Sequence, residues 1–266
     1  MKESIGKILN LIAIKENIEI LFAAESGSRA WGFDSKDSDY DIRFIYRRSP
    51  SYYLSIFPDD KATLDSNNTD IFKSMMEHHN LDFVGHDVKK TLKFLFEGNP
   101  NIASWFRSPH VYNNSRAGSL LSDVSLKYFK GKKAAYAYSS IANSNFKNYI
   151  LHKNKVVLKK YLYVARGLAC AIWVDIFNSP PPMILEEALY NKYVRVRMGD
   201  SIEYIAGLLN SKKEGIELSE GDPIPELNTF YAAELENLKV KIGKKQDDEN
   251  LEKEEFNEIF RQSINF

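Results

Sequence analysis

Between Ile18 and Arg47 the chain runs IEILFAAE, then SGSRAWGFDSKDS, then DYDIRFIYRR. The first piece is a short β-branched and aromatic run, the composition of a buried strand. The last piece alternates as a strand does, with Asp39, Asp41 and Arg43 on one face and Tyr40, Ile42 and Phe44 on the other. Two carboxylates at i and i+2 stand side by side and repel one another unless a cation sits between them. Oxygen ligands of this kind suit Mg²⁺, which is typically held by one or two carboxylates plus substrate phosphates. The linking piece opens with Gly27 and Ser28. A glycine there lets the backbone approach a phosphate, and the serine hydroxyl and nearby N–H groups can bond its oxygens. Taken singly, each half has a plain alternative: an acidic strand facing water, and an ordinary turn. Together they hold a phosphate and a metal at a set separation.

The rest of the chain narrows the setting. Its 266 residues suit one large domain or two modest ones. Lys+Arg and Asp+Glu balance at 36 each, so any nucleic-acid footprint must be local. Cys170 is the single cysteine, which excludes an intrachain disulfide and points to a reducing compartment. The N-terminal stretch is amphipathic without a signal-peptide pattern, and no run approaches the ~20 apolar residues that span a bilayer. A cytoplasmic protein without a membrane partner is therefore expected.

Helical spacing is predicted over about 3–16, from His86 to GNPN, and in a short piece at NIASWFRSP, with LDFV (81–84) as a further strand. SYYLSIF is a strand or a short helix, and DDKATLDSNNTD a loop. After about Tyr112 strand signals vanish. Helices are expected over 116–129, 132–149, 153–178 (broken by SPPP) and 185–209. EGIELSEGDPIPELN is a loop, and one or two charged helices from about Thr229, weak in core residues, follow. The predicted class is α+β: an N-terminal module over 1–110 and a helical module over 111–266, divided near Ser108–Pro109.

GSRAWGFDSKDSDYDIRFIY resembles the signature of DNA polymerase β-type nucleotidyltransferases: Gly-Ser, a spacer, then Asp-x-Asp. More closely it resembles their RNA-ligase-associated bacterial and phage subfamily. LDFVGHDVKKTLKFLFEGNPNIASWFRSPHVY resembles that subfamily's second block, and KVVLKKYLYVARGLACAIW followed by PPP its third. The three blocks span about residues 20 to 182. The resemblance implies that 1–110 is the catalytic module, that Gly27 and Ser28 hold a nucleoside triphosphate, and that Asp39, Asp41 and Asp82 bind two Mg²⁺ ions, with Mn²⁺ able to substitute. It places Asp82 on a strand beside the Asp-x-Asp strand. The implied reaction moves a nucleoside monophosphate from an NTP (ATP by default) to an acceptor hydroxyl, an RNA end, with release of pyrophosphate. A protein or small-molecule acceptor is the alternative, as is a nucleotide-binding regulatory module without turnover. The subfamily often carries an aromatic where His86 stands and an acid where Ser104 stands, which puts the surroundings of Trp105 in question.

On a helix over 153–178, Lys155, Lys159, Tyr163, Arg166, Cys170 and Trp173 share one side. The plain alternative is an amphipathic helix with a solvated face. The reading preferred is a helix lining the cleft opposite the metal strands, with Lys155, Lys159 and Arg166 on phosphates and Tyr163 on a base. Arg29 is placed to face phosphate, and Arg43 continues the metal-facing side; either serves equally as an ion-pair partner for the aspartates. His78, His79, His86, His110 and His152 lack zinc spacing. Gly27-Ser28-Arg29 lacks the Gly-Lys-Ser/Thr of a phosphate-binding P-loop. No base can be placed beside Cys170 to make it a nucleophile.

Overall fold

A computed structural model describes residues 1–36, 38–57, 62–65, 80–216, 218–248 and 251–265. By packing, the chain forms two compact units. The first comprises Met1–Ala30, Ser38–Tyr128 and Asn250–Phe266; the second comprises Trp31–Asp37 and Phe129–Glu249. The expected division at 110/111 thus falls inside the first unit.

The first unit is built on a five-stranded sheet. Helix α1 (Lys2–Glu16) ends where Asn17 turns left-handed, and β1 (Glu19–Ser26) follows. The short α2 (Gly27–Ala30), β2 (Tyr40–Arg47), α3 (Pro50–Tyr53), β3 (Thr63–Asp65), β4 (Leu81–Asp87), α4 (Val88–Glu97) and α5 (Pro100–Trp105) come next. Then come β5 (Val111–Asn114) and α6 (Arg116–Lys127). The strand order is β3-β4-β2-β1-β5, with β2 and β4 parallel and the other pairs antiparallel. This mixed sheet with its helices is the α+β class predicted.

Each face of the sheet has its own core. Ile5, Ile8, Leu9 and Ile12 of α1 pack on Ile20, Ala23, Ile42, Phe44 and Phe83. Leu21, Phe22, Ala24 and Ile45 lie with Val88, Leu92, Leu95, Ile102, Trp105 and Leu121. Consecutive Leu21 and Phe22 join the same core because the register shifts between Ile20 and Phe22, and a bulge resets the alternation.

Two strands of this sheet, β3 and β5, depart from the sequence-based expectation. β3 sits within the expected loop after Asp59, and β5 (Val111–Asn114) straddles Tyr112, where strand signals were expected to vanish. Neither is amphipathic by itself: β5 reads VYNN, and it is held by pairing with β1, Phe22 opposite Asn114. That pairing keeps β5 and α6 in the first unit. The C-terminal helix α13 (Lys253–Ile264) returns there as well. Contrary to expectation it supplies core residues, with Phe256 and Ile259 buried, Phe256 edge-on to Phe96 and Phe260 edge-on to Tyr53.

The second unit is helical, with α7 (Gly131–Tyr149), α8 (Lys159–Phe177), α9 (Leu185–Leu189), α10 (Lys192–Met198), α11 (Ser201–Lys213) and α12 (Pro225–Lys244). The expected helix over 185–209 is thus three, divided where Asn191 caps α10 and Gly199 turns with φ of 55°. The expected helix over 153–178 begins later. Val156–Val157 instead pair as a short strand with Glu220–Gly221, and Leu158 N–H donates to the Ser219 carbonyl. From Tyr161 to Val174, α8 is buried on nearly every side, so it is the central helix of its unit and not an amphipathic one. Gly167 lets α7 come close: a methyl there would stand 2.8 Å from Ala142 Cβ and 3.0 Å from the Tyr138 carbonyl oxygen. Among the described residues no helix is long and apolar enough to cross a membrane.

Candidate active site

Strand pairing brings the predicted carboxylates together. Because β2 and β4 run parallel in a register that sets Asp41 opposite Asp82, two acids far apart in sequence become neighbours. Both lie on the face away from Ile42 and Phe83, which are core residues on the α1 side. Asp39 immediately precedes β2. Its charge reaches Asp41, whose carboxyl is held above the ordinary carboxylate range. Burial is the main cause; Arg43 pulls it back down, and Asp82 and Asp39 push it up again.

The other strand of the hairpin delivers the turn to the same place. Ser26 pairs with Asp41, so Gly27 emerges beside that carboxylate. Gly27 has φ of 68°, a left-handed conformation that favours glycine. A Cβ there would stand 1.9 Å from Asp41 Oδ2. The glycine therefore serves two needs at once, the turn and the close approach. Ser28 follows, buried.

Arg43 supplies the positive charge between the acids. Its Nη2 lies 2.9 Å from Asp41 Oδ1 and 2.9 Å from Asp82 Oδ2. Its Nη1 donates to the carbonyl oxygens of Ile42 and Asp82, each at 3.2 Å. Of the two roles open to it, the structure gives Arg43 that of ion-pair partner. Among the described residues no three His, Cys, Asp or Glu side chains stand close enough to hold a metal as a ready-made set. What the site does have is a carboxylate pair already organised around a cation, which fits a divalent ion if Arg43 gives way.

Arg29 is differently engaged. Its Nε donates to Glu25 Oε2 at 2.7 Å, and its guanidinium lies 4.0 Å over the Tyr40 ring. Glu25 is 2% exposed and also accepts from the Tyr112 hydroxyl. In the sequence, the only trace of this pair is the i,i+4 spacing of Glu25 and Arg29. The question around Trp105 has a structural answer. His86 stacks on Trp105 at 5.2 Å and 15°, and burial pushes its pKa down to about 4. A neutral imidazole thus occupies the place of an aromatic. His78 and His79 lie outside the described residues.

The candidates around the basic helix belong to the second unit. Lys155 precedes α8, is exposed, and pairs with Asp222 at 2.6 Å. Lys159 is exposed at the start of α8, Tyr163 packs its edge against Trp31 at 5.6 Å, and Arg166 is buried. Cys170 is fully buried, which pushes its thiol up and leaves it poorly suited to nucleophilic work.

Two comparisons bear on this arrangement. The family model described as "RlaP: RNA repair pathway DNA polymerase beta family" matches residues 1–262. A Bacillus subtilis (strain 168) protein described as "Uncharacterized protein YcgL" is 31% identical over 239 residues, covering 90% of this chain and 86% of its own. The match runs through the sheet, the turn, the paired aspartates and the helical unit alike, so the chain belongs to the RNA repair pathway DNA polymerase beta family.

Proposed function

We propose that the protein is a metal-dependent nucleotidyltransferase that moves a nucleoside monophosphate from an NTP, ATP by default, to a hydroxyl at an RNA end and releases pyrophosphate. The observation that carries this reading is the register of β2 and β4, which sets Asp41 against Asp82 with the Gly27 backbone pressed on Asp41. Asp39, Asp41 and Asp82 would hold two Mg²⁺ ions, and Mn²⁺ would serve in their place. When bound, the ions lower the pKa of the attacking hydroxyl and neutralise charge on the departing pyrophosphate. Arg43 must release Asp41 and Asp82 for this, and its guanidinium is then free to meet a phosphate oxygen.

The chain's own part is positioning. Gly27 keeps the turn low enough for a phosphate to approach the backbone, and the Ser28 hydroxyl donates to a phosphate oxygen. The acceptor oxygen attacks the α-phosphorus as the bond to the pyrophosphate oxygen breaks, and the hydroxyl proton passes to an Asp82 carboxylate oxygen. Little further chemistry is needed, because such transfers depend on alignment and electrostatics. The setting is a cytoplasmic one.

The test is incubation with each labelled NTP, Mg²⁺ and either mixed RNA or protein. Label in RNA is expected, and Asp41→Asn abolishes it while leaving the fold intact. Activity that survives that substitution removes the metal assignment. Label found only in protein replaces the RNA end with a protein acceptor.

A further inference from the structure

Within the second unit, Trp31, Phe33 and Tyr163 form a ring cluster, with centroids 5.6 to 6.1 Å apart. Two cations lean on it. The Arg166 guanidinium stands 5.2 Å from the Trp31 ring, and the Lys212 ammonium 5.3 Å from the Phe33 ring. Both side chains are deeply buried, Arg166 at 7% exposure and Lys212 at 8%. Neither has a carboxylate within ion-pairing distance among the described residues. Arg166 donates to Cys170 Sγ at 3.3 Å, to the Pro182 carbonyl oxygen at 3.5 Å and to the Met183 sulfur at 3.8 Å. Lys212 has no hydrogen-bond partner there, and Asp34 acts on it only from longer range. Exposed Lys159 adds a further positive charge nearby.

This is not how the protein treats a structural arginine. Arg197, in the same unit, is held by Asp175 at 2.6 Å and Glu234 at 2.7 Å. Burying a cation without an anion is costly, and sulfur is a weak acceptor that leaves most of a guanidinium's donors unused. Burial, then Lys159, push the Lys212 ammonium below its ordinary range. A bound anion would supply the missing negative charge and satisfy the idle donors.

We propose that Arg166 and Lys212, beside the Trp31 ring, form a phosphate-ester subsite of the helical unit, filled by the phosphates of a nucleotide or by a backbone phosphate of an RNA strand. The choice of ligand class rests on the proposed function. Arg166 was a candidate from sequence; Lys212 and Trp31 are supplied by the fold. The guanidinium offers a planar fork and the ammonium a point charge. The half-buried rings of Trp31 and Tyr163 give a neighbouring base a surface to stack on.

Thermal melting of the full-length protein in EDTA tests this, with ATP in one arm and a short 5′-hydroxyl oligoribonucleotide in the other. EDTA removes any ion-bridged binding at the carboxylates. The wild type is expected to melt higher with at least one ligand. Lys212→Met and Arg166→Gln should each weaken the apparent affinity roughly tenfold, the size of a lost charge-assisted hydrogen bond. Loss in the ATP arm identifies the triphosphate as the source, and loss in the other arm the RNA phosphate. Without ligand, Lys212→Met should melt no lower than the wild type, since it removes an uncompensated charge and keeps the apolar stem. Asp41→Asn should keep the full shift, which separates the subsite from the carboxylate site. If Asp41→Asn also retains transfer, the carboxylate reading fails and the subsite stands. No shift in the wild type with either ligand overturns the proposal. So do wild-type shifts in both variants, the result a purely structural lysine and arginine would give.

Discussion

Gly27 is the residue with least freedom. An alanine there meets Asp41 Oδ2 at 1.9 Å and must also adopt φ of 68°, which alone costs roughly 1–2 kcal/mol for a residue with a Cβ. Gly27→Ala should lower stability in urea denaturation by at least that much, and abolish transfer because the carboxylate is pushed aside. Arg43 gives a test through the metal. With Arg43→Gln, Asp41 and Asp82 face one another without their shared cation. The variant should melt below the wild type in EDTA, and Mg²⁺ should raise its Tm more than it raises the wild type's. Equal responses to Mg²⁺ would count against ions at these carboxylates. His86 sets a pH dependence. Its folded pKa of about 4 lies below the ordinary 6.5, so the unfolded chain binds the proton more readily. Stability should be fully present above pH 6.5 and fall as the pH drops toward 4. His86→Phe, which keeps a ring against Trp105, should flatten that part of a Tm-versus-pH profile.

At the scale of elements, α8 shows where periodicity misleads. Its polar residues fall on one side of a helical wheel, yet the helix is buried nearly all round because several others pack on it. Gly167 is the point of closest approach to α7, so Gly167→Val should cost about 1–3 kcal/mol by overpacking, read from denaturation midpoints. The C-terminal helix makes the complementary case. Its charge density suggests a solvated end, but Phe256 and Ile259 bury themselves in the sheet's core and Arg47 Nη1 donates to the Ser263 carbonyl. Phe256→Ala should cost about 3 kcal/mol, as large-to-small core changes do. The strong elements were legible: α1, β1, β2, β4 and α4 carry their own periodicity and caps, such as Asp87 accepting from Lys89 N–H. β3 and β5 were not, because a three- or four-residue strand is specified by the neighbour it pairs with and hardly by its own sequence.

At the scale of the whole molecule, the chain order and the packing order differ. Residues 31–37 join the helical unit, and the last helix rejoins the sheet. The family match over residues 1–262 crosses all these segments, so the helical unit is as much part of the family as the sheet. By itself the sequence determined the α+β class, since the elements are written in residue type and short spacing, and it determined the family through three blocks of motif, which also singled out Asp82 beside the Gly-Ser turn and the Asp-x-Asp pair. Only the tertiary structure decided that Arg43 bridges Asp41 and Asp82, that Glu25 claims Arg29, and that Arg166 and Lys212 are buried with no ion-pair partner among the described residues. Those outcomes depend on which side chains meet across strands and helices distant in sequence. Pair formation and desolvation are properties of that meeting, and neither is carried by any one segment of the chain.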